Sequence, residues 1–522
     1  MTPFPKPVEH ESGAAAPAAA LERRSAALEI FLNRHKLLVL VALSIIYFVG
    51  TAARARGRVF WYDEIFTLTI AQQPTLPAVV RAWRRFELLP PYEQMPPFIH
   101  LVTHVVNRLF GAGEVVSRLP GMVGFWVFCL CMYRFTVRRV GVLFALAALL
   151  LPFATAAYGF SFEARCYGAL LGFGGLALVC WQAAADGKKR ALALMGLALA
   201  IVGALFNHYY AVFLYLPLAG GEALRSFRRR AIDWPVWLAF AAGSTPLAIL
   251  FSALRNSINN AQNPWARASF RSYLDYYQSQ FQLTIPFLVL VAALLAGYFV
   301  LGDPGAPSPS ARRISIPDYE MLAAALFLAI PVAAISVALV IPPHMFTDRY
   351  AILGVAGLAL LAPLLGARLA HGRSVVAAVF VIAALGPFLA ELAQAKPFRN
   401  PLDGEPILRQ ALQREPVAVG NKLLFLQLWY YAPADLKPRI LYLSDEASSV
   451  KYFHTGDLGP DAFAPYGAMT LRYREFAAPG KEFLVYLSGE WDWLPQKIVD
   501  DGGKLEVLIW RGKRSLIRAL IN

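Results

Sequence analysis

The chain has 522 residues, 57% of them hydrophobic and 16% charged, with a formal net charge of +15. Several apolar runs reach the length needed to cross about 30 Å of hydrocarbon, so a membrane protein is expected. The basic residues sit in short clusters between those runs, with no zinc-ligand spacing and no basic helix interleaved with aromatics, which argues against nucleic acid as a partner.

Residues 1–36 are rich in Pro and Ala and end with Arg23, Arg24, Arg34 and Lys36, the pattern of a disordered cytoplasmic tail. The apolar run from Leu37 to about Ala53 lacks a small-residue cleavage site after it and reads as a retained signal-anchor span. Beyond it comes a polar loop, about 54–116, that opens with Val59-Phe60-Trp61-Tyr62-Asp63-Glu64-Ile65-Phe66. Two adjacent carboxylates directly after a span are either solvated surface charge or chemistry. Ile65, Leu68, Ile70, Val79, Val80, Trp83 and Phe86 follow at roughly helical spacing, predicting short amphipathic helices on the membrane surface. Pro90-Pro91 and Pro96-Pro97 stiffen the return.

Residues 98–110 are apolar but short and interrupted by His100, His104, Asn107 and Arg108. Taken as a surface helix, they leave further spans at about 117–136, 141–160, 167–185, 191–207, 209–224, 234–254, 284–301, 319–341, 350–367 and 374–392, about eleven with the first. Arg138-Arg139, Lys188-Lys189-Arg190, Arg225 with Arg228-Arg229-Arg230, Arg312-Arg313 and Arg368 with Arg373 then all fall inside. Counting 98–110 as a span reverses every one of these loops. The fold class expected is therefore a polytopic α-helical membrane protein with an inner (plasma) membrane location, a cytoplasmic amino terminus, and a transmembrane module over 37–395.

From about Lys396 the composition becomes that of a soluble domain, 396–522. Strand-like runs such as Arg439–Leu443 and Glu482–Leu487 alternate with helix-like segments, and Asp500-Asp501-Gly502-Gly503 marks a turn. A small extracytoplasmic α/β domain without a phosphate loop is expected, structural or acceptor-related in role. Cys129, Cys131, Cys166 and Cys180 lie in or beside apolar runs and indicate no disulfide framework. The membrane centres carry almost no ionisable residues, unlike an ion-coupled transporter.

Six motifs in order carry a resemblance. They are Trp61-Tyr62-Asp63-Glu64, Gln94-Met95-Pro96-Pro97-Phe98, Ser117-Arg118-Leu119-Pro120, Glu163-Ala164-Arg165-Cys166-Tyr167, His208-Tyr209-Tyr210 and Asp348-Arg349-Tyr350. Over about residues 37–392 the chain resembles the integral-membrane glycosyltransferases of the GT-C superfamily, in the protein O-mannosyltransferase and aminoarabinose-transferase branch. That resemblance implies transfer of a sugar from a polyprenyl-phosphate sugar donor to an extracytoplasmic acceptor. The chain departs from oligosaccharyltransferase relatives in lacking their metal-holding Asp-x-Asp, so a divalent metal stays open.

The chemistry of such a transfer assigns expected roles. An acceptor hydroxyl needs a positioned carboxylate to take its proton, and Asp63 is the candidate general base, with Glu64 orienting the acceptor or Asp63 itself. A departing lipid phosphate needs cations, for which Arg165 and Arg349 are the candidates and Arg58 a third. The same arginines also suit lipid headgroups, or pairing with Glu163 and Asp348. Trp61, Tyr62, Glu163, Tyr167, His208, Tyr209, Asp348 and Tyr350 complete the candidate substrate-binding set, although Trp61, Tyr62 and the His208-Tyr209-Tyr210 patch also fit an aromatic belt. His100 and His104, four apart on a helix, match metal-ligand spacing but lack a carboxylate to complete it, and read as surface-helix polarity. The spans also admit a transporter or flippase of lipid-linked sugars, or a scaffold whose outer domain binds cell-wall material.

Overall fold

The structure, a computed structural model, describes residues 15–88, 95–260, 266–282, 284–301, 314–453, 459–489 and 492–522. Pro90-Pro91, Gln94 and Arg312-Arg313 lie outside them. The helices begin with α1 (Ala15–Arg34), α2 (Lys36–Gly57), α3 (Tyr62–Ala71), α4 (Leu76–Leu88) and α5 (Phe98–Phe110). Seven helices among the described residues are long and apolar enough to cross a membrane, and two bent helix pairs raise the number to nine. The two remaining expected spans are helical but different in kind. Val142–Ala154 is apolar but shorter, and Tyr209–Arg229 ends in a charged turn. At 13 residues, α5 falls well short of the hydrocarbon thickness.

Two expectations are corrected. The amino-terminal segment is not a loose tail from Ala15 onward, because it forms α1 and docks on the helix Ser374–Leu392. Its alanines favour helix rather than disorder. Glu22 then caps the partner, accepting from the Ser374 and Val375 backbone N–H groups at 3.0 Å each. Helix α3 is likewise not a surface helix: every residue from Glu64 to Ala71 is buried. It lies between α5 and the C-terminal domain, where Phe66 packs edge-on to Phe463.

The tightest helix pair is Leu119–Val137 against Tyr167–Ala185. A Cβ on Gly124 would meet the Gly168 carbonyl oxygen at 2.4 Å, and one on Gly168 would meet that of Gly121 at 2.2 Å, so backbone touches backbone there. This contact fixes Arg118, at the start of one helix, beside Glu163 and Arg165, just before the other. At the opposite end of the bundle the expected basic clusters meet acids. Arg139 joins Asp186 and Glu320, and Arg225 joins Glu222 and Asp233.

The C-terminal domain is a six-stranded sheet ordered β3-β2-β1-β4-β6-β5. Its strands are β1 (Val417–Val419), β2 (Ile440–Ser444), β3 (Met469–Arg472), β4 (Glu482–Leu487), β5 (Lys504–Arg511) and β6 (Arg514–Leu520). β1 to β4 run parallel and β6 is antiparallel to both of its neighbours. β1 and β2 are buried throughout, as parallel strands covered on both faces must be. Gly502, at φ +80°, ends the helix Leu494–Asp500, and Gly512, at φ +59°, opens the β5–β6 turn. The four cysteines are free thiols.

Candidate active site around Asp63

The chain leaves α2 at Gly57, runs extended through Arg58, and enters α3 with Trp61 as its N-cap. Glu64, the third residue of α3, turns back and accepts from the Trp61 N–H at 3.2 Å. Its carboxylate then meets Arg118 through two bonds, Nε to Oε1 at 2.7 Å and Nη2 to Oε2 at 2.8 Å, both side chains being fully buried. Ala164 N donates to the same Oε1 at 2.7 Å. Arg118 spends its remaining N–H groups on the carbonyls of Ala55 (2.7 Å), Arg58 (2.6 Å) and Val59 (3.1 Å), with its guanidinium 4.6 Å from the Phe60 ring centre. Glu64 is thus a fully partnered staple joining α2, α3 and the segment before Tyr167. Both of its oxygens are already taken by Arg118, Ala164 and Trp61, so an orienting contact from Glu64 to an acceptor has no free acceptor atom to use, and its role is structural.

Asp63 points elsewhere. Its side chain is 19% exposed and meets Arg349, Nη2 to Oδ2 at 3.1 Å. It occupies the first turn of α3, where unpaired backbone N–H groups favour negative charge. Arg165, buried, donates to the Asp63 carbonyl at 3.2 Å and to Thr67 Oγ1 at 3.1 Å, so it grips the same turn. The Arg349 guanidinium lies 5.5 Å from the Trp61 ring and 5.9 Å from the Tyr167 ring. Among the described residues its Nε has no hydrogen-bond partner, nor has the buried Tyr167 hydroxyl.

His208 lies in this cluster and not in a membrane-interface belt. It is 3% exposed, 4.9 Å from the Tyr350 ring and 6.0 Å from that of Tyr167. Its Nδ1 accepts from the Tyr210 N–H at 3.0 Å, which assigns the proton of the neutral ring to Nε2. Nε2 has no partner among the described residues. Burial first, then Arg165 and Arg349, push the His208 pKa down to about 3, so the ring is a neutral donor at physiological pH.

Glu163 is 6% exposed on its side chain and pairs with Arg58 at 2.8 Å. Burial raises its pKa against the opposing pull of Arg58. Arg58 therefore serves Glu163 and does not join Arg349. Asp348 accepts from the Ser279 hydroxyl, leaving Arg349 to Asp63. Tyr62 places its hydroxyl against Gly459, and Tyr209 packs against the apolar cluster that α3 and α4 share with the C-terminal domain. His100 and His104 are buried, His104 Nδ1 lying 2.8 Å from the Ala71 carbonyl, so surface polarity is corrected for both. Among the described residues no three His, Cys, Asp or Glu side chains are gathered as metal ligands.

Arg118 is the residue that sequence reading left without a role. Its signal is an arginine at the start of a span, 54 residues after the glutamate it binds. The C-terminal domain's grip was also missed. Phe60 N donates to the Tyr431 hydroxyl at 2.8 Å, and Gln427 Nε2 donates to the Phe60 carbonyl at 3.0 Å.

No family model and no curated protein matches the chain. Solved structures do. ArnT from Cupriavidus metallidurans in the apo state superposes with a TM-score of 0.55 at 14% identity, over 93% of this chain and 98% of that one. ArnT of the same organism bound to undecaprenyl phosphate gives 0.53 at 16% identity, over 92% and 97%. The chain has the GT-C fold. On the GT-C framework Asp63 stands at the first turn after the first span, at the end of the bundle that carries the C-terminal domain.

Proposed function

We propose that the protein is a membrane glycosyltransferase. It moves a sugar from a polyprenyl-phosphate-linked donor to an acceptor hydroxyl, with Asp63 as general base, at an outer membrane face carrying the C-terminal domain. The observation that supports this best is the pairing of a partly exposed carboxylate, Asp63, with a cation, Arg349, whose Nε–H is unpartnered among the described residues. Undecaprenyl phosphate bound to ArnT, a protein of the same fold, supports the donor class. A screen of hexosyl and pentosyl donors against lipid, glycan and protein acceptors assigns the specificity.

In the transfer the acceptor oxygen attacks the anomeric carbon while the bond from that carbon to the phosphate oxygen breaks. The acceptor proton passes to Asp63, and the polyprenyl phosphate leaves with one more negative charge. Arg349 faces that charge with Arg165 behind it, while His208 Nε2–H and the Tyr167 hydroxyl offer neutral donors. Because Arg349 holds Asp63 in the structure, a donor phosphate that draws the guanidinium to itself releases the carboxylate for the acceptor. Donor binding before acceptor follows from this.

Incubating purified protein with labelled polyprenyl-phosphate sugars tests the reading. Acceptor-dependent conversion of donor into free polyprenyl phosphate supports it; transbilayer movement of intact donor without conversion would instead make the protein a flippase.

A further inference from the structure

A pocket of about 400 Å³ opens at the end of the bundle away from Asp63. It lies between the turn joining helices Tyr167–Ala185 and Arg190–Asn207, the last turn of Tyr215–Arg229, and the first turn of Asp318–Val340. Arg190, Arg225, Arg228 and Arg229 line it with Asp186 and Tyr319. The acids around it are already bonded. Asp233 takes Arg190, Arg225 and Arg229 together, Glu222 takes Arg225, Asp186 takes Arg139, and Asp318 takes Arg228. The two turns beside the pocket add Lys188, Lys189 and Arg230, all exposed and none in an ion pair among the described residues. The surplus is positive.

Charge-directed topology explains cations at this end but not where two of them stand. Lys189, at φ +43°, and Arg230, at φ +54°, have left-handed backbone, where glycine is at ease and a residue with a Cβ is not. Arg230 closes the helix Tyr215–Arg229 in the conformation that glycine usually supplies. A glycine there with a cation one residue away would serve topology equally, so long basic side chains kept in strained turns point to a ligand. Large apolar side chains stand beside them: Phe227, Ile232 and Trp234 are 78, 56 and 63% exposed. Three helices long and apolar enough to span end at the pocket, which sets it at the bilayer boundary. We infer that the pocket holds the phosphodiester headgroup of an anionic phospholipid of the adjoining leaflet, with its acyl chains along Phe227, Ile232 and Trp234. Guanidinium forks suit phosphate oxygens, and the lipid supplies the negative charge that the bonded acids do not. The site does not rest on the transfer reading above.

The test uses the full chain in phosphatidylcholine nanodiscs carrying a trace of spin-labelled lipid, read as the motionally restricted fraction. Wild type should prefer spin-labelled phosphatidylglycerol over spin-labelled phosphatidylcholine on the order of tenfold. Lys189→Gly with Arg230→Gly should bring that preference close to unity with the melting temperature held, because glycine adopts both φ values freely. Lys189→Gln with Arg230→Gln, which keeps side-chain bulk, should lose it equally. Arg23→Ala with Arg24→Ala, an equal loss of exposed charge on α1 at the same end of the bundle, should keep it. No preference in wild type, or one retained in both Lys189/Arg230 variants, would overturn the site. An equal loss in the Arg23/Arg24 variant would overturn it in favour of general surface charge. Glycerol phosphate displacing the labelled lipid at matching concentration would overturn the lipid and leave a free-anion site.

Discussion

At the residue scale the two neighbouring carboxylates divide into one that holds the fold and one that, on the proposed function, faces the reaction. Glu64 and Arg118 are both fully buried and bonded through both carboxylate oxygens, so removing either partner strands the other's charge. Arg118→Met should cost roughly 3–5 kcal/mol, seen as a lower melting temperature in detergent with a parallel loss of donor binding. Glu64→Gln should shift the same observable in the same direction. The sequence singled out the Asp-Glu pair and gave Asp63 the base role, but it did not show Glu64 as a structural staple, because its partner Arg118 lies 54 residues away and is brought in by contacts such as that between Gly121 and Gly168. Arg349 was legible as a phosphate candidate; that it rests on Asp63 and not Asp348 was not, since neighbouring residues in sequence turned to different partners. Histidine titration gives a second expectation. His208 and His100 have pKa values held down to about 3, mainly by burial, against an unfolded value near 6.5. Below pH 6.5 the unfolded chain therefore binds more protons than the folded one, and stability falls as pH drops from 6.5 towards 3. Each ring contributes about 1.4 kcal/mol per pH unit in that window. A melting series from pH 7 to 4.5 should show His208→Gln with a shallower fall than wild type; an identical slope would contradict a neutral buried His208.

At the element scale, α3 and the residues just before it tie the bundle to the sheet domain. Phe60, 1% exposed, gives its N–H to Tyr431 and its carbonyl to Gln427, both on the helix Lys422–Tyr431. Tyr431→Phe leaves a buried N–H without its acceptor, which should cost about 1–3 kcal/mol. If the sheet domain positions Asp63 through this contact, the variant should also lower turnover several-fold with donor affinity retained. Unchanged turnover with reduced stability would confine the domain to support. The helical periodicity of α3 was readable, but its environment was not. An apolar face looks the same whether lipid or a later domain covers it, and the cover here includes Phe463, about 400 residues on. α1 was misread for the related reason that an Ala-rich stretch becomes a docked helix only when something such as Ser374 waits for Glu22.

At the scale of the whole molecule, the charge pattern arranges both ends of the bundle. Arg139 and Arg225 gather with acids at one end, and Asp63, Arg165, Arg349 and the sheet domain at the other. On the proposed orientation, with the basic end cytoplasmic by its charge, the sheet domain lies outside. An alkaline phosphatase fused after Asn522 should be active in a bacterial host, and a stable but inactive fusion would reverse the orientation. Spans and the C-terminal sheet were legible because hydrophobic length and alternation are local properties. The site was legible only as a set of candidates, because its geometry is made by contacts between distant segments. The most direct measurement is single-turnover donor consumption, with acceptor present, by Asp63→Asn in nanodiscs. Asn is nearly isosteric but cannot take a proton, so turnover should fall by about 10²–10⁴ with folding and donor binding near wild type. Wild-type turnover in the folded variant would contradict Asp63 as the base.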